Sequence, residues 1–150
     1  MKISKYDPAS PETFDWTSVS DFSDGDLSPH YLLVELRYLR AISAALSETD
    51  TSEMDIIDVS RNTDDLPVEL EAIILSCHAE GLEIIEVARS CLREKIWCRL
   101  ESAAISIHFG YDFIMYFEGE VGSENLRKKI NDLGLIIDYS ARSPYLTPKK

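Results

Sequence analysis

The residues that could carry out acid–base chemistry are a histidine and an aspartate close together in the second half of the chain. His108 lies before Asp112, across the turn residues Gly110-Tyr111. An imidazole next to a carboxylate can transfer protons in a catalytic cleft. His108 alternates with Ile107 and Phe109, so we expect it to face away from the apolar side of a strand, toward solvent. A hydrogen bond that closes the turn is the simpler role, and a small enzyme with a cleft near His108 and Asp112 is kept as the alternative function.

A second group of residues has the types that bind a metal ion. His78-Ala79-Glu80 is an H-x-E sequence, and Cys91 and Cys98 follow it. Zinc sites of the deaminase type combine H-x-E with two thiolates in a C-x-x-C, whereas these two cysteines are seven positions apart. We therefore predict no metal site and no cofactor, and we expect His78 to be a surface residue at a helix end. The third cysteine, Cys77, is predicted to lie in the core.

Other catalytic signatures are absent from the sequence. The six glycines are scattered, and they form neither G-x-G-x-x-G nor the phosphate-binding loop G-x-x-x-x-G-K-[ST]. The sequence G-x-S-x-G, which marks the nucleophile of many hydrolases, is also missing. Three cysteines without a C-x-x-C indicate free thiols in a reducing cytoplasm. The chain is therefore predicted not to be an enzyme.

The charge of the chain is strongly negative and unevenly distributed. The net charge is −12; residues 1–75 contain 16 acidic and 5 basic residues, whereas residues 76–150 contain 11 and 10. Because such a surface repels phosphates, the charge argues against direct binding to nucleic acid or to an anionic membrane. A basic protein partner would be attracted instead, and charge would speed its capture.

The acidic residues near the first two predicted helices are the candidates for contact with such a partner. Taken singly, each of them is equally well explained as a solvated charge, since acidity also keeps a protein soluble. As a group they lie where the net charge is concentrated. The candidates are Asp50, Glu53, Asp64, Asp65, Glu69, Glu80 and Glu83.

The first predicted helix begins after a strong start signal, Ser28-Pro29. A serine hydroxyl can accept hydrogen bonds from the free N–H groups of the first turn, and proline fits the first helical position. We expect this helix to run to about Leu46, with Glu35, Arg37 and Arg40 off its buried face. The apolar stripe predicted to face the core consists of Leu32, Leu36, Leu39 and Leu46, with Leu33 and Ile42 beside it.

Two further helices and several strands are predicted along the rest of the chain. The second helix is expected from Asp65 to Gly81, and the third from Ser123 to Gly134. Alternating or continuous apolar residues predict strands at 54–59, 82–87, 96–100, 103–109, 113–117 and 135–139. Helices followed by adjacent strands predict a single α+β domain, with a mostly antiparallel sheet of about five to six strands packed with about three helices.

The domain organisation is predicted to be one globular domain with two terminal segments. Residues 28–140 form the domain, and residues 1–27 form an arm that packs on it with Trp16 inward, since disordered tails rarely contain aromatic residues. Residues 141–150 form a short tail, loose at its end. The sequence contains no stretch of about 18 apolar residues, so no transmembrane helix is expected. No secretory signal is expected either, so the predicted location is the cytoplasm.

Four stretches of the sequence resemble a known class of proteins. They are Lys5-Tyr6-Asp7-Pro8, Phe14-Asp15-Trp16-Thr17-Ser18-Val19-Ser20-Asp21, His108-Phe109-Gly110-Tyr111-Asp112-Phe113-Ile114-Met115-Tyr116 and Ser143-Pro144-Tyr145. These stretches resemble parts of small bacterial immunity proteins, a class that includes the immunity proteins of contact-dependent inhibition and related polymorphic toxin systems. The resemblance is spread from one end of the chain to the other.

The resemblance implies a function in binding a protein. Immunity proteins bind and neutralise a toxin domain, often a nuclease, inside the producing cell. They vary most where they touch their toxin, so the resemblance supplies no interface residues. Together with the acidic charge, it leads us to expect stoichiometric occlusion of a cognate toxin that has a basic surface. A subunit or adaptor of a larger complex is the third alternative, and a large apolar patch would favour it.

Overall fold

The structure is a computed structural model that describes residues 1–6 and 27–144. The predicted packing of Trp16 and the predicted loose end of the C-terminal tail lie outside these residues. The described chain forms an α+β domain with an antiparallel sheet, which confirms the predicted fold class. It contains four helices and seven strands in its described part, one helix and at least one strand more than predicted.

From α1 onward, the elements follow one another with short connections. The helices are α1 (Pro29–Glu48), α2 (Val68–Ser76), α3 (Leu82–Leu92) and α4 (Glu124–Asp132). The strands are β1 (Lys2–Ser4), β2 (Glu53–Arg61), β3 (His78–Glu80), β4 (Ile96–Glu101), β5 (Ile105–Phe109), β6 (Met115–Gly119) and β7 (Ile136–Asp138). Within the sheet their order is β3-β2-β4-β5-β6-β1-β7. β1 lies between β6 and β7, so the start of the predicted N-terminal arm belongs to the sheet itself.

The start of α1 is as predicted, but its buried face is not. Ser28 caps the helix, because its hydroxyl accepts a hydrogen bond from the Tyr31 N–H at 3.1 Å. Tyr31 and Tyr38 are fully buried, and each ring centroid lies 5.2 Å from that of Phe113. The predicted leucine stripe is therefore wrong at Leu32 and Leu36, which are 43% exposed. Apolar spacing allows two overlapping stripes on this helix, and the packing of the tyrosines selects one of them.

The segment 82–87, predicted as a strand, is the first half of α3. Its buried residues Ile84, Val87 and Cys91 repeat at helical spacing. Gly81 was predicted to end the preceding helix, but it precedes α3 with φ 52°. The preceding helix, α2, ends at Ser76 instead, because Cys77 adopts the left-handed conformation with φ 56°. The apolar run Leu82-Glu83-Ile84-Ile85 is too short to separate a strand from a buried helix by pattern alone.

The two faces of the sheet have different surroundings. Cys98 of β4 lies on the helix side, because its Sγ atom is 3.4 Å from Sγ of Cys91 in α3. Alternation then places Trp97, Arg99 and Glu101 on the opposite face, which we call the open face. The strand register continues this face into the neighbouring strands. The residues beside them include Glu53, Asp55, His78, Glu80, Ser106, His108, Tyr116 and Glu118.

The three cysteines differ sharply in accessibility, which predicts their reactivity. Cys91 and Cys98 are buried, whereas Cys77 is exposed, so the prediction that Cys77 lies in the core is wrong. Burial, with the neighbouring thiol of Cys98, raises the pKa of Cys91, and thiols react as thiolates. We expect one thiol per chain to react rapidly with Ellman's reagent in the native protein, and all three after unfolding. Cys77→Ser should abolish the rapid reaction, and a rapid reaction that survives this substitution would contradict the prediction.

Candidate functional site

Two adjacent strands at one edge of the sheet present acidic residues on the open face. In β2, Glu53 and Asp55 alternate with buried Met54, and they pair across the strands with Glu80 and His78 of β3. The carboxylates of Glu53, Asp55 and Glu80 are 69%, 72% and 70% exposed. Because these side chains point the same way from paired strands, they form one cluster. We call this cluster, together with Glu83 and Leu82 of α3, the β3-edge surface.

His78 lies in the middle of the three carboxylates. Its Nδ1 atom is 3.3 Å from Oδ1 of Asp55, and its Nε2 atom is 3.6 Å from a carboxylate oxygen of both Glu53 and Glu80. The hydrogen bond with Asp55, supported by the charges of Glu53 and Glu80, raises the pKa of His78. His78 was predicted to lie at the surface at a helix end. It is partly exposed, and it begins the strand that follows α2.

The β3-edge surface also contains an apolar side chain and a shallow concavity. Leu82, the first residue of α3, is 83% exposed. It lines a concavity of about 540 Å³ together with Ser76, His78, Glu80 and Glu83. One carboxylate oxygen of Glu83 accepts a hydrogen bond from the Glu80 N–H at 3.0 Å, which fixes the start of α3 against β3. An exposed leucine that shares a concavity with two glutamates has the composition of a protein-binding site, in which an apolar anchor is accompanied by polar residues.

The structure divides the seven candidate residues into two groups. Glu53, Glu80 and Glu83 lie on the β3-edge surface. Asp50 lies in the turn that follows α1, and this turn is held near the start of α3 by the hydrogen bond from Gly81 N–H to the Ser52 carbonyl. The other three candidates, Asp64, Asp65 and Glu69, lie at the far end of β2 and α2.

The second group of candidates does not form a uniformly negative surface. Glu69, in the first turn of α2, borders a concavity that is also lined by Arg89, Arg93 and Lys95. Asp64 and Asp65 are exposed residues of the loop before α2. The far end of β2 is separated from Glu53 by about 25 Å, at about 3.3 Å per strand residue. These three residues therefore cannot act with the β3-edge surface on one small contact area.

Sequence reasoning missed Asp55 and Glu101 as members of an acidic surface. Asp55 lies between Glu101 of β4 and His78 of β3 in the register, which extends the acidic cluster along the open face. The signal that could have found Asp55 is the alternation Glu53-Met54-Asp55-Ile56, which puts both acids on one face of a strand. The pairing of Asp55 with Glu101 depends on the order of the strands in the sheet, which the pattern of apolar residues alone does not determine.

His108 lies on the open face, away from the helices as predicted, but the prediction that it faces solvent is wrong. The residue is fully buried, because the C-terminal segment crosses the open face and Ser143 Oγ lies 2.6 Å from His108 Nδ1. The Ser143 N–H also donates a hydrogen bond to Glu118 at 3.2 Å, which holds the segment in place. The imidazole thus pairs with Ser143, and the charged groups that act on it are Arg99, Glu118 and Asp58. Burial and the charge of Arg99 lower the pKa of His108, which favours the neutral imidazole.

A concavity of about 280 Å³ lies beside His108. Trp97 and Tyr111 form part of its wall, with ring centroids 4.7 Å apart. Arg99, another lining residue, is bound by Asp58 at 2.7 Å and by Glu101 at 2.9 Å. Its positive charge is therefore already compensated by carboxylates, which weakens the concavity as a site for an anion.

Comparison with known proteins yields no relative. The chain matches no protein-family model, no curated protein sequence and no solved structure. Within the described ranges, no helix has both the length and the apolar composition needed to cross a bilayer.

Proposed function

We propose that this protein is an immunity protein that binds a basic toxin domain and neutralises it by stoichiometric occlusion. The observation that supports the proposal best is the β3-edge surface. There, three exposed carboxylates cluster on adjacent strands, and one of them, Glu80, shares a concavity with the exposed Leu82. The sequence resemblance to immunity proteins, and the net charge of −12, point to the same function.

The charge of the β3-edge surface is only partly balanced from within. Its carboxylates are Glu53, Asp55, Glu80 and Glu83, and the basic group among them is His78. Lysine and arginine side chains of a partner would supply the missing positive charge and would be steered toward it. In the proposed complex Leu82 is the apolar anchor, which excludes water and strengthens the surrounding ion pairs. If the toxin is a nuclease, the carboxylates would occupy the place of nucleic-acid phosphates.

The first experiment tests protection. The C-terminal domain of the protein encoded immediately upstream is expressed alone and together with this protein. Growth arrest by the domain alone, and normal growth when both are present in equal amounts, is the result expected for an immunity protein. Protection when this protein is present in much smaller amount than the toxin would indicate turnover and would contradict stoichiometric occlusion. Growth arrest despite soluble expression of both proteins would contradict the immunity function itself.

The second experiment tests the β3-edge surface with a charge-matched control. One variant replaces Glu53, Asp55 and Glu80 with lysine, and the control variant replaces Asp64, Asp65 and Glu69 with lysine. Both variants have the same net charge, so a difference between them reports position. We expect association with the toxin, measured by surface plasmon resonance at low salt, to slow about tenfold to hundredfold only in the first variant. The difference should shrink at high salt, and equal rates for both variants would contradict the proposal.

The concavity beside His108 supports a second candidate function, that of a small enzyme. A buried imidazole next to aromatic residues could take part in acid–base chemistry on a small molecule. The structure gives this histidine a serine partner, where the sequence suggested Asp112. His108→Ala separates the two functions: it should leave protection intact in a folded immunity protein, whereas loss of protection with retained folding and toxin binding would favour the enzyme.

A further inference from the structure

The β3-edge surface has a second property, because the atoms around His78 are arranged as metal ligands. Nε2 of His78 is 3.6 Å from Oε2 of Glu53 and 3.6 Å from Oε1 of Glu80. These distances exceed those of hydrogen bonds. They are close to the separation of about 3.4 Å between ligand atoms that surround one zinc ion tetrahedrally at its usual bond lengths. All three ligand atoms lie within 4.8 Å of one another.

The other nitrogen of the same imidazole already has the partner that a metal-binding histidine requires. Nδ1 of His78 lies 3.3 Å from Oδ1 of Asp55. In metal sites a carboxylate commonly accepts the proton of the imidazole nitrogen that does not bind the ion, which fixes the tautomer and orients the ring. With the Nδ1 proton shared with Asp55, the lone pair of Nε2 is available to an ion, and Nε2 is the nitrogen that lies near both Glu53 and Glu80.

We propose that His78, Glu53 and Glu80 bind one divalent transition-metal ion of the zinc type, with Asp55 as the residue that orients the imidazole. The ligand set decides the ion: an imidazole nitrogen suits zinc, copper or nickel, whereas magnesium and calcium prefer oxygen ligands alone. The ion would also offset the repulsion among carboxylates that neighbour one another on paired strands. Three protein ligands leave a fourth position for water or for a group from a partner.

The H-x-E motif contributes two of these ligands, but the rest of the site differs from the deaminase pattern. His78 and Glu80 are two positions apart, so alternation places them on the same face of β3. The third ligand comes from β2, which is paired with β3 through the register Glu53↔Glu80. Cys91 and Cys98, the thiols considered from sequence, are buried against each other between α3 and β4. The proposal is independent of toxin binding, because it concerns the isolated chain.

The test is a titration of the full chain with Zn²⁺ alone by isothermal titration calorimetry. It uses Cys77→Ser protein, because Cys77 is an exposed thiol next to His78 and would compete for zinc. We expect one ion per chain. His78→Ala and the double variant Glu53→Gln/Glu80→Gln should weaken binding by more than tenfold, and Asp55→Asn by about 10- to 100-fold. His30→Ala removes another exposed imidazole and should change nothing.

Three outcomes would overturn the metal proposal. One is the lack of saturable binding at one ion per chain. The second is equal affinity in the His78→Ala and His30→Ala variants. The third is calcium binding that is as tight as zinc binding and insensitive to His78→Ala. Since the ligand side chains are exposed, the variants are expected to fold, and thermal unfolding checks this. In NMR spectra of the folded protein, zinc should shift the Nε2 resonance of His78 and leave that of His108 in place.

Discussion

Glu35→Ala should destabilise the protein by about 3 kcal/mol, because Glu35 is the centre of a buried ion pair between α1 and α3. The carboxylate is 5% exposed. Arg93 donates two hydrogen bonds to it, from Nε at 2.7 Å and from Nη2 at 2.9 Å, and Arg89 lies 3.4 Å away. Removing the carboxylate leaves two guanidinium groups without their common partner in a poorly solvated place. The arginines are 28% and 31% exposed, which favours the lower end of the usual range.

Urea denaturation followed by circular dichroism measures this loss. For a domain of this size we expect the midpoint to fall by about 1.5 M. The matched control is Glu71→Ala, which breaks the pair between Arg61 and Glu71 at 2.7 Å, whose side chains are 39% and 37% exposed. Exposed pairs contribute about 0–1 kcal/mol. Equal losses in the two variants would show that Glu35 is not a buried structural charge.

The double variant Glu35→Met/Arg93→Met distinguishes the effect of the lost ion pair from the effect of lost side-chain packing. Replacing both partners of a buried pair by apolar side chains of similar size is often neutral or stabilising. We therefore expect the double variant to recover much of the stability that Glu35→Ala loses. A double variant no more stable than Glu35→Ala would assign the loss to packing of the Glu35 side chain and not to the unpaired charge.

Gly119→Ala should also cost about 3 kcal/mol or more, for a reason that lies in the backbone. Gly119 ends β6 with φ 109°, a conformation that L-residues rarely adopt. A Cβ atom at this position would lie 2.3 Å from the carbonyl oxygen of Ala104 in the connection before β5. Neither group can move freely, because Gly119 pairs with Ile105 in the sheet. Both the dihedral strain and the steric clash destabilise the folded state.

The same chain provides controls that separate strain from clash. At Gly122 the nearest neighbour of a Cβ atom is Nη2 of Arg127 at 3.9 Å, so Gly122→Ala should change stability by less than about 1 kcal/mol. Gly81 has φ 52° and open space, so Gly81→Ala introduces strain alone and should cost about 1–3 kcal/mol. We therefore expect the urea midpoint to be highest for Gly122→Ala, lower for Gly81→Ala and lowest for Gly119→Ala. A different order would disprove this explanation.

Local signals in the sequence predicted a large part of the fold. Ser28 and Ser123 cap α1 and α4 as expected, since capping depends only on a side chain and the three residues that follow it. Five of the predicted strand segments contain strands, because alternation of apolar residues is a property of the strand itself. The antiparallel α+β class followed from the order of these elements.

The errors occurred where a segment can satisfy its own pattern in two ways. Leu82–Val87 is apolar enough for a strand or a buried helix, and contacts within the core decide for the helix. On α1, two stripes are nearly equally apolar, and the position of Phe113 decides that the tyrosines are buried. Glu35, predicted to lie off the buried face, is buried because it pairs with Arg93, the residue that follows α3.

The candidate site shows the same division. The sequence by itself determined that the chain is acidic and that most of its net negative charge lies in residues 1–75, because composition is independent of the fold. Only the tertiary structure decided that Glu53 and Asp55 lie beside His78 and Glu80, that Asp64, Asp65 and Glu69 lie elsewhere, and that Ser143 covers His108. Strand pairing and the path of the C-terminal segment join residues far apart in sequence. Such contacts depend on the free energy of the whole packed domain, which no single segment encodes.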